Sequence, residues 1–207
     1  SILLPSLNAA RRNARAVTCG TNLRHIGTSV ALYLADNASV FPVSYIYANG
    51  PGGQYSLSDQ PLDKRYGYLH WSYFLYQGGK VSDKAFTCPE FRKGGVPRTN
   101  PGPEGGHWEA AQVDDTGGSA PGTREDLQAP FCAYTANAAI MPRNKFTPQL
   151  SGGLRVNQLV NETKVKSARA VILATEFHAN WKSAAVPVGS NALLSKGHRP
   201  INPFFHV

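Results

Sequence analysis

The residues with the most obvious potential for chemistry lie late in the chain, where Glu176 and His178 follow an aliphatic run. Together with His198, or with His107 in its place, they could supply one carboxylate and two imidazoles, a ligand set that zinc accepts while keeping a position open for water. The spacing does not match a helical HExxH motif, and nothing marks a general base. We therefore expect these residues to be structural, with a secreted metal-dependent enzyme as an alternative.

Other catalytic signatures do not occur in the sequence. There is no Gly-x-Ser-x-Gly elbow, no phosphate-binding loop and no dinucleotide fingerprint, and many of the 20 glycines sit in proline-rich stretches. We expect no catalytic residue and no bound cofactor. Calcium is the one ion left open, because the segment 94–129 offers carboxylates without the spacing of a binding loop; they are Asp114, Asp115, Glu125 and Asp126.

The chain has three cysteines, Cys19, Cys88 and Cys132. Their spacing fits neither a zinc knuckle nor a Cys-x-x-Cys redox site. From the residues alone, one disulfide with a leftover thiol and three free thiols both remain open.

The elements that must position these residues begin with a long helix, predicted from Leu3 to Asn37. Apolar residues recur there at steps of three and four, which predicts one apolar stripe along the whole helix. In the first half the stripe is formed largely by small residues, so we expect that half to project and the half from Leu23 onward to anchor a core. The stripe of the first half is Leu7, Ala10, Ala14 and Val17, and the opposite face is predicted to carry Arg11, Arg12, Arg15, Asn22 and Arg24.

The rest of the chain predicts a body of short elements. Segment 39–47 is expected to be extended, 68–77 a helix that places Trp71, Phe74 and Leu75 in the core, and 94–129 a long variable loop rich in glycine and proline. Strands are predicted at 84–89, 131–136 and 168–174. The expected class is α+β, in which the helix packs on an antiparallel sheet, with residues 1–37 as the helix and 38–207 as the body.

Composition narrows the possible partners. The 207 residues include 21 Lys plus Arg and 13 Asp plus Glu, giving a net charge of +8. A basic chain can favour anionic partners, but outside the Arg11–Arg15 region the basic residues are spread out. A binding module for nucleic acid or an exported ligand, using the long loop, is an alternative; its aromatic candidates are Tyr45, Tyr47, Tyr55 and Tyr66. No apolar run of about 18 residues is present to span a membrane.

The order of motifs resembles a known family. LLPSLNAARRNARAVTC, then NL-x-x-IG and DN-x-x-x-FP, resembles type IV pilin-like proteins of type II secretion, particularly the bacterial prepilin-type group with a His-x9-Asp-Gly C-terminal signature. Phe86-x-Cys88-Pro89 and Tyr134-x-x-Asn137 follow in the expected order. His198 is followed by nine residues, and the sequence ends where Asp-Gly would come next. Family members begin with a processing site and an apolar membrane helix, which we expect to precede Ser1.

The resemblance implies a non-catalytic structural subunit of a filament or secretion-type assembly. Its partners would be other pilin-like subunits, the assembly machinery and the inner membrane, with the body displayed in the periplasm or outside. Arg11, Arg12 and Arg15 would then stand near anionic headgroups. The implied disulfide is Cys19–Cys88, with Cys88–Cys132 as the second choice, and the implied structural landmarks are Trp71, Pro89, Glu176, His198 and Arg199.

Overall fold

The computed structural model describes residues 3–48, 53–55, 68–91, 94–97, 127–137, 139–144 and 158–176. Helix α1 runs from Leu3 to Asp36, and helix α2 from Trp71 to Tyr76. The strands in the described ranges are β1 (Tyr45–Tyr47), β2 (Tyr68–His70), β3 (Val96–Pro97), β4 (Phe131–Cys132), β5 (Tyr134–Ala136), β6 (Arg143–Asn144) and β7 (Ala174–Glu176). The predicted α+β class is confirmed, and so are the bounds of the long helix to within one residue.

Among the described residues, the strands are not joined into the single antiparallel sheet that we expected. Within the described ranges they form a three-stranded sheet in the order β2-β1-β6 and two separate pairs, β3-β4 and β5-β7. Strands β1 and β6 run parallel, whereas the other pairings are antiparallel. The described part of the body therefore contains several small sheets.

The two halves of α1 differ in burial, as predicted. From Leu4 to Thr18 the side chains are exposed, apart from the partly buried Ala9. In the second half, Ile26, Val30 and Leu34 are buried in the main apolar cluster. Removal of this apolar surface from water holds the second half of the helix on the body.

Helix α2 and the segment after it supply the other side of that cluster. Trp71 and Phe86 are both 0% exposed, and their rings meet edge to face with centroids 5.2 Å apart. Leu75 belongs to the same cluster. The rings of Phe74 and of Tyr33 in α1 meet edge to face with their centroids 6.2 Å apart. The predicted core positions Trp71, Phe74 and Leu75 are confirmed.

The end of α1 is set by its backbone. Ala38 and Ser39 have φ of 50° and 59°, the left-handed region that ends a helix because it cannot continue the ladder of hydrogen bonds. The Asn37 side-chain amide donates to the Tyr33 carbonyl at 2.8 Å. The Ser39 carbonyl then accepts from the Glu162 amide at 2.8 Å, so the turn is tied to a distant part of the chain.

Two predicted elements begin or end elsewhere. The helix expected over 68–77 starts only at Trp71, because Tyr68–His70 pairs with β1 as a strand and the His70 imidazole caps the helix by accepting from the Ser72 amide. The strand expected over 131–136 is divided at Ala133, whose amide donates to the Phe86 carbonyl at 2.7 Å. Each half of it consequently pairs with a different strand.

Two other predicted strands are wrong. Asp83–Phe86 is a 3-10 turn in which Ser82 accepts from the Lys84 amide, so this local capping bond replaces the strand predicted at 84–89. Ala168–Ala170 is also a 3-10 turn. After it, the Asn137 side-chain amide donates to the Ile172 carbonyl at 2.9 Å, and the strand starts only at Ala174.

Candidate functional site

The most exposed apolar surface among the described residues lies on the projecting half of α1. Leu4 and Val17 are each 68% exposed and Leu7 is 47% exposed, and Ala10 and Ala14 are also exposed. Steps of three and four residues return to within about 60° of the same side of an α-helix, so Leu7, Ala10, Ala14 and Val17 share one side. We call these four residues the stripe.

The stripe lies on the side of the helix that faces away from the body. Val17 and Cys19 are two residues apart, which is about 200° around the helix, and Cys19 is only 1% exposed. The second half continues the Cys19 side through Ile26 and Val30, which are both buried. The prediction of one continuous stripe is therefore wrong, because the apolar side changes by about half a turn between the two halves.

The arginines lie on the other side of the projecting half. Arg15 and Arg12 precede Cys19 by one and two helical turns, which places them on the Cys19 side. Both, like Arg11, are exposed. The sequence has no acidic residue before Asp36, and Asp36 pairs with Lys80 at 2.8 Å, so the projecting half carries only positive charge.

Asn22 was predicted to share the face of these arginines, and it does lie on their side of the helix, about 20° from Arg15 after a seven-residue step, but it is partly buried. It lies three residues after Cys19, on the body side, and its side-chain amide donates to the Thr87 carbonyl at 2.8 Å. Arg24 is exposed, but it lies nine residues after Arg15 and about 180° around the helix from it, so its predicted place on the face of the arginines is wrong. The i, i+3 relation to Cys19 was the sequence signal that could have identified the Asn22 contact.

A disulfide joins Cys19 of α1 to Cys88, with their Cα atoms 5.0 Å apart. This is the first of the two pairings that the resemblance implied, and the alternative pair Cys88–Cys132 is not formed. The crosslink sits where the helix first meets the body. It closes a separation of 69 residues, and so ties the base of the projecting half to the core.

Hydrogen bonds that involve no sulfur surround the disulfide. The Tyr134 hydroxyl donates to the Cys19 carbonyl at 3.1 Å and also lies 3.3 Å from the Thr87 carbonyl. Burial raises the pKa of Tyr134, and the nearby Glu176 carboxylate raises it further, so this hydroxyl stays a donor throughout the neutral range. Tyr134 was noticed in the sequence only as part of a motif, without this role.

Glu176 is the charged group at this junction. Its Oε1 lies 3.8 Å from the Cys88 sulfur, and the Cys19 sulfur belongs to the same compact group. Glu176 is exposed while both cysteines are buried, so the carboxylate covers the solvent side of the disulfide. The histidines considered as partners of Glu176 in the sequence all lie outside the described residues; they are His107, His178 and His198.

Cys132 is the free cysteine in the described part of the chain, and it is buried. Its thiol donates to the Tyr134 carbonyl at 3.1 Å. Burial raises its pKa to about 12, which keeps the sulfur protonated and unreactive at neutral pH.

The remaining predicted site residues divide into two groups. Trp71 is at the centre of the core and Pro89 is exposed on the surface next to Cys88. Tyr55 packs against Phe74 with centroids 5.2 Å apart. The others lie outside the described residues or have undescribed side chains: His198, Arg199, Asp114, Asp115, Glu125, Asp126, Tyr45, Tyr47 and Tyr66.

Comparison with protein-family models, with curated proteins and with solved structures gives no match to this chain. Among the described residues, no helix combines the length and the apolar character needed to cross a bilayer. The projecting half of α1 is a rod with one apolar side and one basic side, and a disulfide crosslinks its base to a packed body. We call this half of the helix the rod. Such an arrangement can contact other molecules along the rod without disturbing the core.

Proposed function

We propose that this protein is a non-catalytic structural subunit of a pilin-like filament or a type II secretion-type assembly. The observation that carries the proposal is the projecting half of α1, whose stripe faces away from the body. Neighbouring helices could pack on the stripe while each body remains on the outside. The motif order described above supports the same proposal.

The composition of the stripe suits helix packing. Ala10 and Ala14 are small, so a neighbouring helix can approach closely at the middle of the stripe, and Leu7 and Val17 provide apolar contacts at its ends. Val17 and Leu7 now expose apolar surface, and covering it would be favourable at roughly 25 cal/mol per Å². Contact between like surfaces of identical subunits needs no further component.

The disulfide and the hydrogen bonds at the base would transmit load between rod and body. In this proposal the rod is held by its neighbours and the body is held by Cys19–Cys88, together with the Asn22–Thr87 bond. An apolar anchor preceding Ser1 would fix the rod in the inner membrane, with Arg11, Arg12 and Arg15 near its anionic headgroups. The body would then be displayed in the periplasm or at the outer side.

The test is a charge placed within the stripe of the full-length protein. Ala14→Asp buries a carboxylate in the proposed helix contact, which costs several kcal/mol when it is unpaired, so filament assembly should be lost. Ala16→Asp is the matched control, because Ala16 is also exposed. Ala16 follows Ala14 by two residues, which places it about 160° away around the helix and outside the stripe. The control should assemble normally.

Both variants should keep a folded body, since neither alanine contacts the core; circular dichroism and the urea midpoint check this. Normal filaments from Ala14→Asp would refute the assembly role of the stripe. Equal loss of assembly in both variants would show that any added charge on the rod is harmful and would remove the evidence for a specific side.

A further inference from the structure

The junction between α1, the segment around Cys88 and strand β7 brings together three potential metal ligands. The two cysteine sulfurs and a Glu176 carboxylate oxygen all lie within 4.8 Å of one another. We propose that, once the Cys19–Cys88 disulfide is reduced, these three groups form a zinc site with a fourth position open to water. This goes beyond the proposed assembly function and does not depend on it.

The donor set suits zinc. Two thiolates and one carboxylate are ligands that Zn²⁺ takes in tetrahedral sites, with Zn–S about 2.3 Å and Zn–O about 2.0–2.2 Å. Those bond lengths place a sulfur and a carboxylate oxygen about 3.6 Å apart around one ion. The Cys88 sulfur and Glu176 Oε1 are already 3.8 Å apart. Calcium and magnesium prefer oxygen ligands and would not compete for two thiolates.

The sulfurs themselves must separate when the disulfide opens. Around a tetrahedral zinc they would be about 3.8 Å apart, compared with a bonded pair in the oxidised protein. Rotation of the two side chains can supply this change while the backbone stays in place. The required Cα frame is held by contacts other than the disulfide.

Those contacts keep the ligands together after reduction. Asn22 bonds to Thr87, next to Cys88, and Tyr134 bonds to the Cys19 carbonyl. Tyr134 is also the register partner of Glu176 in the β5-β7 pair. Each of the three ligands is therefore attached to a neighbour whose bond contains no sulfur.

Electrostatics favours a cation at this point. Two thiolates beside a carboxylate would place three negative charges around two buried sulfurs, which is costly without a counter-ion. A Zn²⁺ ion offsets two of these charges. The exposed position of Glu176 leaves an entry path, and a place for a water ligand, on the solvent side.

The chemistry balances with a dithiol as the reductant. The dithiol gives two electrons and two protons to the disulfide, which becomes two thiols, and is itself oxidised to a disulfide. Binding of Zn²⁺ then releases one proton from each thiol to solvent. Reoxidation requires loss of the ion, so the bound metal would also protect the reduced cysteines.

The test measures zinc binding by the whole chain in its two redox states. A phosphine reductant in oxygen-free buffer converts the disulfide to two thiols and becomes its oxide with an oxygen atom from water. A chromophoric chelator then competes for zinc. We expect one zinc per reduced chain and none per oxidised chain, and cobalt in place of zinc should give the absorption of thiolate-bound tetrahedral Co²⁺.

Variants identify the ligands. Glu176→Gln should weaken zinc binding by more than the roughly 10–100-fold that loss of an outer-shell partner causes, and Cys88→Ser should abolish stoichiometric binding. Glu162→Gln, which changes an exposed glutamate outside the cluster, and Cys132→Ala should bind zinc as the wild type does. Absence of stoichiometric zinc in the reduced wild type would overturn the proposal, and so would equal affinity in Glu176→Gln.

Discussion

The disulfide at the base of the projecting helix should account for a large part of the stability of this fold. Crosslinking two residues separated by 69 positions removes loop-closure entropy from the unfolded chain equivalent to about 4.4 kcal/mol at 25 °C. Domains of this kind unfold at a cost of about 5–15 kcal/mol in total. Reduction should therefore lower the free energy of unfolding by about 4 kcal/mol while leaving the packed core in place.

The assay is urea unfolding followed by tryptophan fluorescence, for which Trp71 is a buried reporter. The oxidised wild type, the phosphine-reduced wild type and the variant with both Cys19→Ala and Cys88→Ala are compared in buffer containing a zinc chelator. The last two should unfold at similarly lower urea. Their denaturant slope should also rise, because an unfolded chain without the crosslink exposes more surface.

The control is Cys132→Ala, which removes a buried sulfur but no crosslink. Reduction should destabilise this variant by the same amount as the wild type. A loss below about 1 kcal/mol on reduction would refute the reasoning. A crosslink between Cys88 and Cys132 would give a similar gain, since the entropy depends only logarithmically on loop length, so peptide mapping of the oxidised protein must find Cys19 joined to Cys88.

Two further predictions concern residues next to this crosslink. Asn22→Ala removes the hydrogen bond to the Thr87 carbonyl and should lower the free energy of unfolding in urea by about 1 kcal/mol. Arg24→Ala, at an exposed position, is the control and should change it by less than about 0.5 kcal/mol. Equal effects of the two substitutions would contradict the assignment of Asn22 to the body side. Because burial raises the pKa of Cys132 to about 12 from an ordinary 9.0, the native thiol should resist a disulfide reagent at pH 8 and react in urea. The native state holds this proton more tightly than the unfolded state, so the proton's contribution to the free energy of unfolding is complete below pH 9 and is lost as pH rises towards 12. Between pH 8 and 10 the free energy of unfolding of the wild type should therefore fall by about 1 kcal/mol more than that of Cys132→Ala.

The sequence predicted well those features that depend on local pattern. The 34 residues of α1 contain no proline after Pro5, and their apolar residues recur at helical steps, so the helix could be predicted from local pattern. The change from small to bulky residues along it indicated the division between a projecting and an anchored half. The aromatic residues of 68–77 were correctly placed in the core because bulky aromatics are usually buried. Only the predicted start of the helix was wrong, because residues 68–70 pair with β1 as a strand.

The errors arise where distant residues decide the backbone. The aliphatic run at 168–174 has the composition of a strand, but within it the Ile172 carbonyl accepts a hydrogen bond from the side chain of Asn137. No local pattern indicates this contact. Glu176 and Cys88 are likewise neighbours only in the folded chain. The pairing of Cys19 with Cys88 came from the family resemblance, because the cysteine spacing alone left several arrangements open.

The change of apolar side along α1 separates two surfaces of the helix. If the apolar side had been continuous, any helix packed on the stripe would have competed with the body for the same surface. Val17 is instead exposed about 200° from the buried Cys19, so contacts on the stripe and contacts with the core use different atoms. Substitutions in the stripe should consequently change assembly without changing body stability, and substitutions at the disulfide should change stability first. A subunit in which the two properties could not be separated by mutation would not have the two-sided helix on which the proposed assembly depends.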